Sequence, residues 1–274
     1  MARIRHSIIP VIAVVAQLLA GCAGTALAPS PSERQVLAPS GKLRVGLYPG
    51  SPTSILGDPA APETKGVAFD LGKELARRLG VPFEPVVFPK NAEVIEALKA
   101  GQVDVAFTNA SPARARDIDF TQPYLDVEQS YLVPAGSAKA APADIDRPGI
   151  RVGVSVGSSS QAVLTRQFKN AVVVLVPTLK EAIEMLSQKQ LDAFATNKAI
   201  LFELSDSLPG SRVLAGRWGL EHFSAGIPKG RDLGMPYMRK FVEEVQSTGL
   251  VQTAVERAGV RGTVFHDKGI SRGP

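Results

Sequence analysis

Two segments of the chain repeat one pattern of polar side chains. Asp-x-x-x-Thr-Asn runs from Asp104 to Asn109 and again from Asp192 to Asn197, inside the similar stretches KAGQVDVAFTNAS (99–111) and SQKQLDAFATNKA (187–199). An asparagine amide carries no charge and both donates and accepts hydrogen bonds, which suits recognition of a polar solute. A third polar group, Ser158, Ser159 and Ser160, follows Gly157 at the predicted start of a helix. Backbone N–H groups at a helix start, with hydroxyls beside them, form a place for an anion. A helix cap alone explains one serine and leaves the others for a solute. Gly153-Val154-Ser155-Val156-Gly157 has the G-x-S-x-G form of a hydrolase nucleophile turn, with Asp206 and His222 downstream as partners. Ser155 alternates with valines as a strand residue does, the helix starts at Ser158 or later, and no H-G-G-G-type segment accompanies it, so hydrolase chemistry is set aside. His6, His222 and His266 lack metal-ligand spacing. Neither a metal nor a cofactor is expected.

The elements that must hold these groups alternate along the chain. Short β-branched runs at 43–47, 83–88, 103–107, 151–156, 171–176 and 192–195 read as strands. Helical patterns lie at 68–79, 92–100, 161–168 and 179–188. In the first of these Phe69, Leu71, Leu75 and Leu79 recur near the 3.6-residue period, and Gly80 is placed to end it. Strands alternating with helices of this length imply right-handed βαβ units and parallel sheets. The two Thr-Asn segments each close the third strand of such a run, so the chain reads as two lobes of one layout. Ligands of open parallel sheets bind outside the carboxyl ends of the strands. Two facing lobes therefore put Asn109 and Asn197 on opposite walls of one cleft.

The 274 residues, 45% hydrophobic, bury a core too large for one small domain, and 21% charged residues exclude a disordered polyelectrolyte. Residues 1–21 form a signal peptide: Arg3 and Arg5 precede the apolar run SIIPVIAVVAQLLA at 7–20, which is short for a membrane span. Cys22, the only cysteine, ends a Leu-Ala-Gly-Cys string that resembles a bacterial lipobox and makes Cys22 the lipidation site. No thiol is then left for disulfides or catalysis. Removal of Arg3 and Arg5 takes the formal charge from +5 to +3, with no Lys/Arg run of five, which excludes nucleic acid as the expected partner. Residues 22–41, rich in Ala, Pro and Ser, read as a flexible linker to the lipid, and 261–274 as a loose C-terminal tail.

From Leu43 to about Gly259 the chain resembles the bacterial extracellular solute-binding proteins of family 3, the polar-amino-acid type. KLRVGLYPG resembles the family's opening strand and cleft loop, and GVAFDLGKELARRLG its Gly-x-x-x-Asp-Leu helix. ALKAGQVDVAFTNASPARARDIDFTQPY carries the L-x-x-G-x-x-D strand, S-P-x-R and D-F-T-x-P-Y, and IRVGVSVGSSSQAVL resembles the entry to the second lobe. The resemblance implies a two-lobed α/β periplasmic-binding-protein-like fold (type II), each lobe a mostly parallel sheet flanked by helices. Lobe two (132–225) is inserted into lobe one (42–131 plus 226–260), with crossovers at 129–134 and 223–228 as a two-strand hinge. It also implies that Arg114 clamps a ligand carboxylate, for which a permanently charged guanidinium fork is suited, and that Ser111 is a hydroxyl ligand. Tyr48 and Tyr124 remain as candidate walls of the pocket, Tyr124 otherwise as part of the Pro-Tyr packing motif, while small or polar residues stand near Ser51 and Asn91 where the family has aromatic rings. Asn197 stands where the family usually has the aspartate that holds the ligand's α-ammonium. The sequence alone therefore suggests a cleft that keeps its anion side and loses its ammonium side. The implied function is the substrate-binding component of an ABC-type uptake transporter. Such a protein is a monomer, lipid-anchored at the periplasmic or cell surface, that takes a small polar or anionic solute by hinge closure and presents it to an inner-membrane permease. Two alternatives stand beside it: a dehydratase-like enzyme on the same scaffold, with Glu93 as the loosely placed acid, and a ligand-sensing subunit.

Overall fold

The computed structural model describes residues 28–264. Cys22, the signal segment and His266 lie outside them. The strands are β1 (Leu43–Leu47), β2 (Phe83–Val87), β3 (Val105–Asn109), β4 (Ile118–Phe120), β5 (Leu125–Val133), β6 (Arg151–Ser155), β7 (Val172–Val176), β8 (Ala193–Asn197), β9 (Arg212–Val213), β10 (Gly219–Pro228) and β11 (Thr263–Val264). The helices are α1 (Pro31–Leu37), α2 (Val67–Leu79), α3 (Asn91–Lys99), α4 (Ser159–Gln167), α5 (Leu179–Ser187), α6 (Lys198–Ser207), α7 (Met235–Ser247) and α8 (Leu250–Ala258).

The sheet runs β2-β1-β3-β10-β5-β8-β6-β7. Its two ends are parallel trios of the same order: β1 between β2 and β3, and β6 between β7 and β8. The repeat seen in the sequence is thus a repeat of topology. Asp104 takes the backbone N–H of Arg44 at 3.0 Å and its guanidinium at 2.7 and 3.0 Å, while Asp192 takes the N–H of Arg151 at 2.9 Å and its guanidinium Nε at 3.0 Å. In each lobe this carboxylate ties the third strand to the start of the first, and each third strand ends in Thr-Asn.

Two antiparallel strands join the trios. β10 pairs with β3 through 223–226 and with β5 through 219–223, and β5 pairs with β8 through 129–132. The hinge strands expected at 129–134 and 223–228 both begin four residues earlier, because Leu125–Gln129 and Gly219–Phe223 satisfy their backbone groups against each other. The register places Asn109 opposite Phe223 and Asn197 opposite Gln129.

Helix α2 buries Phe69, Leu71, Leu75 and Leu79, the periodic residues, each contributing about 1.5–3 kcal/mol relative to exposure. Gly80 ends it in the left-handed region at φ +67°, where only glycine is unstrained. Lobe one has its own core around Leu43, Leu71, Phe107 and Phe241, and lobe two its own around Val152, Leu164 and Ala195. A third cluster combines side chains of both lobes, among them Tyr48, Val94 and Leu98 with Leu186, Phe194 and Ile200.

Both ends of the domain are more ordered than their composition suggests. Within the expected linker 22–41, Pro31–Leu37 is helical: Ser30 and Glu33 form a capping box and Leu37 is fully buried. Within the expected tail, Thr263–Val264 adds a short strand to β5, and Arg261 lies over the Phe202 ring while pairing with Asp206 at 2.5 Å. An apolar anchor in one case and free backbone groups of a hinge strand in the other outweigh the loop-like composition.

Candidate functional site

The carboxyl ends of both trios open into one cavity of about 320 Å³, a size that suits a small molecule. Tyr48, Asn109 and Arg114 line it from lobe one, and Ser155, Ser158, Ser159 and Asn197 from lobe two. Apolar walls come from Pro49, Pro89, Val156, Pro177, Leu179 and Ile200. The lobes touch around it. A Cβ on Gly157, whose φ is +74°, would lie 2.8 Å from the Ala92 Cβ, and one on Gly50 would lie 3.3 Å from Leu179. Gly157 and Gly50 are thus the two glycines at which the lobes come close across the cleft.

Arg114 follows β3 in a short 3₁₀ turn, 114–116, and is only 9% exposed. Its Nη1 donates to the Asn109 backbone carbonyl at 2.9 Å and also to Asn109 Oδ1. Nε and Nη2 donate to no described protein atom, which leaves that side of the fork for an anion. Burial lowers the guanidinium pKa, opposed by the charge of Glu221 and by Tyr48. Burial likewise pushes the Tyr48 phenol up, keeping it neutral.

Asn109 Oδ1 is occupied by Arg114 and also accepts from Thr108 Oγ1 at 3.4 Å and Asn91 Nδ2 at 3.5 Å. Its Nδ2 must therefore face away, and it donates to Glu221 Oε1 at 3.3 Å. Asn197 is arranged in the same way. Its Oδ1 caps α6 by accepting from the Ile200 N–H at 3.1 Å, and its Nδ2 donates to Glu221 Oε2 at 2.8 Å. Gln129 Nε2 at 3.2 Å and the Ser159 hydroxyl complete the donors around Glu221 Oε1.

Glu221 was not among the residues singled out from the sequence. It is 7% exposed, lines the cavity, and lies on β10, before the point where the hinge was expected to begin. The sequence signal was that it is the lone acid of the GLEHFSAGIP strand; its burial beside the more exposed Leu220 and His222 is visible only in the structure. Its presence corrects the inference drawn from Asn197. The cavity retains a carboxylate, on the hinge strand instead of at the start of α6.

Three of the expected serines are not among the residues lining the cavity. Ser51 is fully buried with its hydroxyl 2.8 Å from Thr53 Oγ1; Ser111 accepts from the Arg114 backbone N–H at 3.3 Å; Ser160 is buried and accepts from Gln129 at 3.5 Å. Ser158 caps α4 by accepting from the Gln161 N–H at 3.1 Å, and Ser159 faces Glu221. Around Ser155, β6 ends and α4 begins only at Ser159. His222 is turned to Asp126 at 2.7 Å and Asp206 to Arg261, so no hydrolase triad assembles there. Glu93 lies outside the cavity, its side chain 43% exposed and 3.7 Å from Lys90. Among the described residues no group of His, Cys, Asp and Glu could hold a metal ion, and no helix is long and apolar enough to cross a membrane.

Comparison with known proteins places this geometry. Residues 43–257 match the model of the bacterial extracellular solute-binding proteins, family 3. The ABC transporter glutamine-binding protein GlnH of Bacillus subtilis (strain 168) is 24% identical over 198 residues, 71% of this chain and 72% of that protein. The crystal structure of an ancestral arginine-binding protein bound to glutamine superposes with a TM-score of 0.68 at 25% identity, covering 79% of this chain and 97% of the other. The ancestral amino acid-binding protein AncCDT-1, a precursor of cyclohexadienyl dehydratase, shares the fold with a TM-score of 0.69 at 22% identity, covering 82% and 98%.

Proposed function

The chain belongs to the bacterial extracellular solute-binding proteins of family 3, and from that premise we propose that it is the substrate-binding component of an ABC-type uptake transporter for a small carboxylate-bearing solute of the amino-acid type. The observation that carries this reading is the cavity between the lobes with the free side of the buried Arg114 fork in its wall. The solute enters between open lobes, its carboxylate takes the unused donors of Arg114, and contacts from both lobes favour the closed form. A ligand shifts such an equilibrium only through contacts it makes better in one form. Here Arg114 comes from one lobe and Ser158 and Ser159 from the other. Bending falls on β5 and β10, the two strands that cross between the trios. The closed shape is then what an inner-membrane permease recognises, with the protein held at the membrane by lipid on Cys22. The solute-binding family and the glutamine-binding protein among its relatives support binding without chemistry on the solute.

The test is a thermal-shift screen of the purified protein against small carboxylates, followed by calorimetry. At about 100 times the dissociation constant a ligand stabilises by about 2.7 kcal/mol, or roughly 5–11 °C for a domain of this size. Stabilisation by no carboxylate overturns the reading.

A further inference from the structure

We propose that residues 260–264 clasp the two lobes together outside the hinge strands, and that Arg261 is the positioning residue of this clasp. From outside the cavity it biases the lobes toward the spacing at which Gly157 meets Ala92. The proposal goes beyond the solute-site reading and rests on it only in that lobe spacing matters where both lobes contact a solute.

Three observations carry it. The first is where the segment is anchored. Helix α8 buries Val251, Ala254, Val255 and Ala258 in lobe one, and Gly259 ends it in the left-handed region at φ +68°. Val260 belongs to the same core and donates its backbone N–H to the Val255 carbonyl at 3.0 Å. Up to this residue the chain moves with lobe one. Thr263 and Val264 then pair with Val127 and Asp126 on β5, and the Gly262 carbonyl accepts from the Glu128 N–H at 2.9 Å. Residues 129–132 of β5 pair with β8 of lobe two, while β10 takes the opposite edge at both Val127 and Gln129. Strands β11 and β8 therefore lie end to end along one edge of β5, meeting at Glu128.

The second is what the segment touches in lobe two. The Arg261 guanidinium stands over the Phe202 ring, 4.7 Å from its centroid. Its Nη1 donates to Asp206 Oδ1 at 3.2 Å, and its Nη2 to Asp206 Oδ2 and to Glu203 Oε1 at 3.4 Å. All three partners are on α6, which follows β8. Gly262, at φ +78°, passes so close that a Cβ there would fall within the Lys198 side chain, and Lys198 pairs with Glu128. A helix turns about 100° per residue, which puts Phe202 and Asp206 roughly 200–240° round from Ile200, the α6 residue in the cavity wall. The segment thus holds α6 from the side away from the solute.

The third is leverage. Ala199, in the first turn of α6, is buried in the lobe-one core, so the start of the helix is already held near the hinge. Asp206 lies roughly 10 Å further along the axis, at about 1.5 Å per residue. A rotation of lobe two about β5 and β10 displaces Asp206 more than Ala199, while Arg261 stays with lobe one. The ring stacking and the carboxylate contacts therefore belong to one lobe spacing, and contacts made in one arrangement bias the equilibrium toward it.

The experiment measures the distance between spin labels by pulsed electron-spin resonance in the unliganded protein. The labels are placed at Lys90→Cys and Lys180→Cys, one on each lip of the cavity. Cys22→Ala is present in every sample, so that these are the only thiols. Arg261→Ala is expected to raise the long-distance population at least about threefold. Asp206→Ala does the same, and the two together do no more than either alone. The charge exchange Arg261→Asp with Asp206→Arg restores part of the wild-type distribution. Both side chains are substantially exposed, at 40% and 62%, so the variants are expected to fold, and either single variant decides the matter if the other does not. A wild-type distribution in the variants, even with a lowered melting temperature, marks the pair as merely structural and overturns the clasp. Additive widening overturns the assignment to this pair. No solute is present, so either negative result leaves the solute-site reading standing, and failure of the carboxylate screen leaves this measurement unaffected.

Discussion

Arg114 Nη1 donates to two oxygens of Asn109, the backbone carbonyl at 2.9 Å and the side-chain Oδ1. The last residue of β3 thereby fixes one edge of the guanidinium and leaves the other edge for an anion. Lysine has no planar fork and cannot make both sets of contacts. Arg114→Lys is expected to weaken binding of the best-stabilising carboxylate by about 30-fold or more, with the unliganded melting temperature within a few degrees of wild type. Calorimetry against that compound checks it; unchanged affinity removes Arg114 from the site.

Asp104 is fully buried and accepts from Arg44, from the Arg44 backbone N–H and from Arg231 at 2.9 Å. Its lobe-two counterpart Asp192 has a side chain 29% exposed and Arg151 as its partner. Breaking a buried charge pair costs about 3–5 kcal/mol, and an exposed one about 0–1 kcal/mol. Asp104→Ala is therefore expected to destabilise the protein by several kcal/mol in urea unfolding, and Asp192→Ala by clearly less. Equal costs would contradict the burial argument.

Gly157 faces Ala92 across the cleft, and a Cβ there would lie 2.8 Å from the Ala92 Cβ. Gly157→Ala also places alanine at φ +74°, a cost of about 1–2 kcal/mol. The variant is expected to fold and to stop short of full closure. Small-angle scattering with saturating solute should show a larger radius of gyration than wild type, together with a weaker affinity. A wild-type radius and affinity would show that the lobes do not need this approach.

Glu74 on α2 is held at about 2, below its ordinary 4.5, mainly by the hydrogen bond from Arg77 and with help from Arg78 against its own partial burial. A carboxylate more acidic in the folded than in the unfolded state stabilises the fold fully above about pH 4.5, and the contribution is lost as pH falls toward 2. Stability measured by urea unfolding should fall from pH 5 to pH 3, and Glu74→Gln should flatten part of that slope. An identical slope in the variant would show that Glu74 does not contribute.

Cys22 is expected to carry the lipid. Wild-type protein expressed in bacteria should enter the detergent phase of a cloud-point extraction, and Cys22→Ala should remain aqueous or unprocessed. An aqueous wild type would refute the anchor.

How much of this was legible follows from the range of the forces involved. Local patterning sufficed for β1, β6, α2 and the duplicated Asp-x-x-x-Thr-Asn, because alternation, helical period and a closing glycine act within a few residues. The ten periodic elements read from the sequence recur in the structure within about two residues at their ends. The duplication identified two lobes, because a carboxylate that braces one parallel trio braces the other in the same way. Tertiary structure decided what pairing across distance controls. The hinge strands start earlier than their composition suggests because each completes the other's backbone hydrogen bonds. Residues 31–37 are helical because Leu37 finds a core made by distant segments. Ser51, Ser111 and Ser160 are not among the residues lining the cavity, and each hydroxyl has a nearby protein partner. The charge of the site is the sharpest case. Read alone, Asn197 signals a lost carboxylate; in the fold it donates to a carboxylate 24 residues later, and only the register of β8 and β10 on either side of β5 brings the two together.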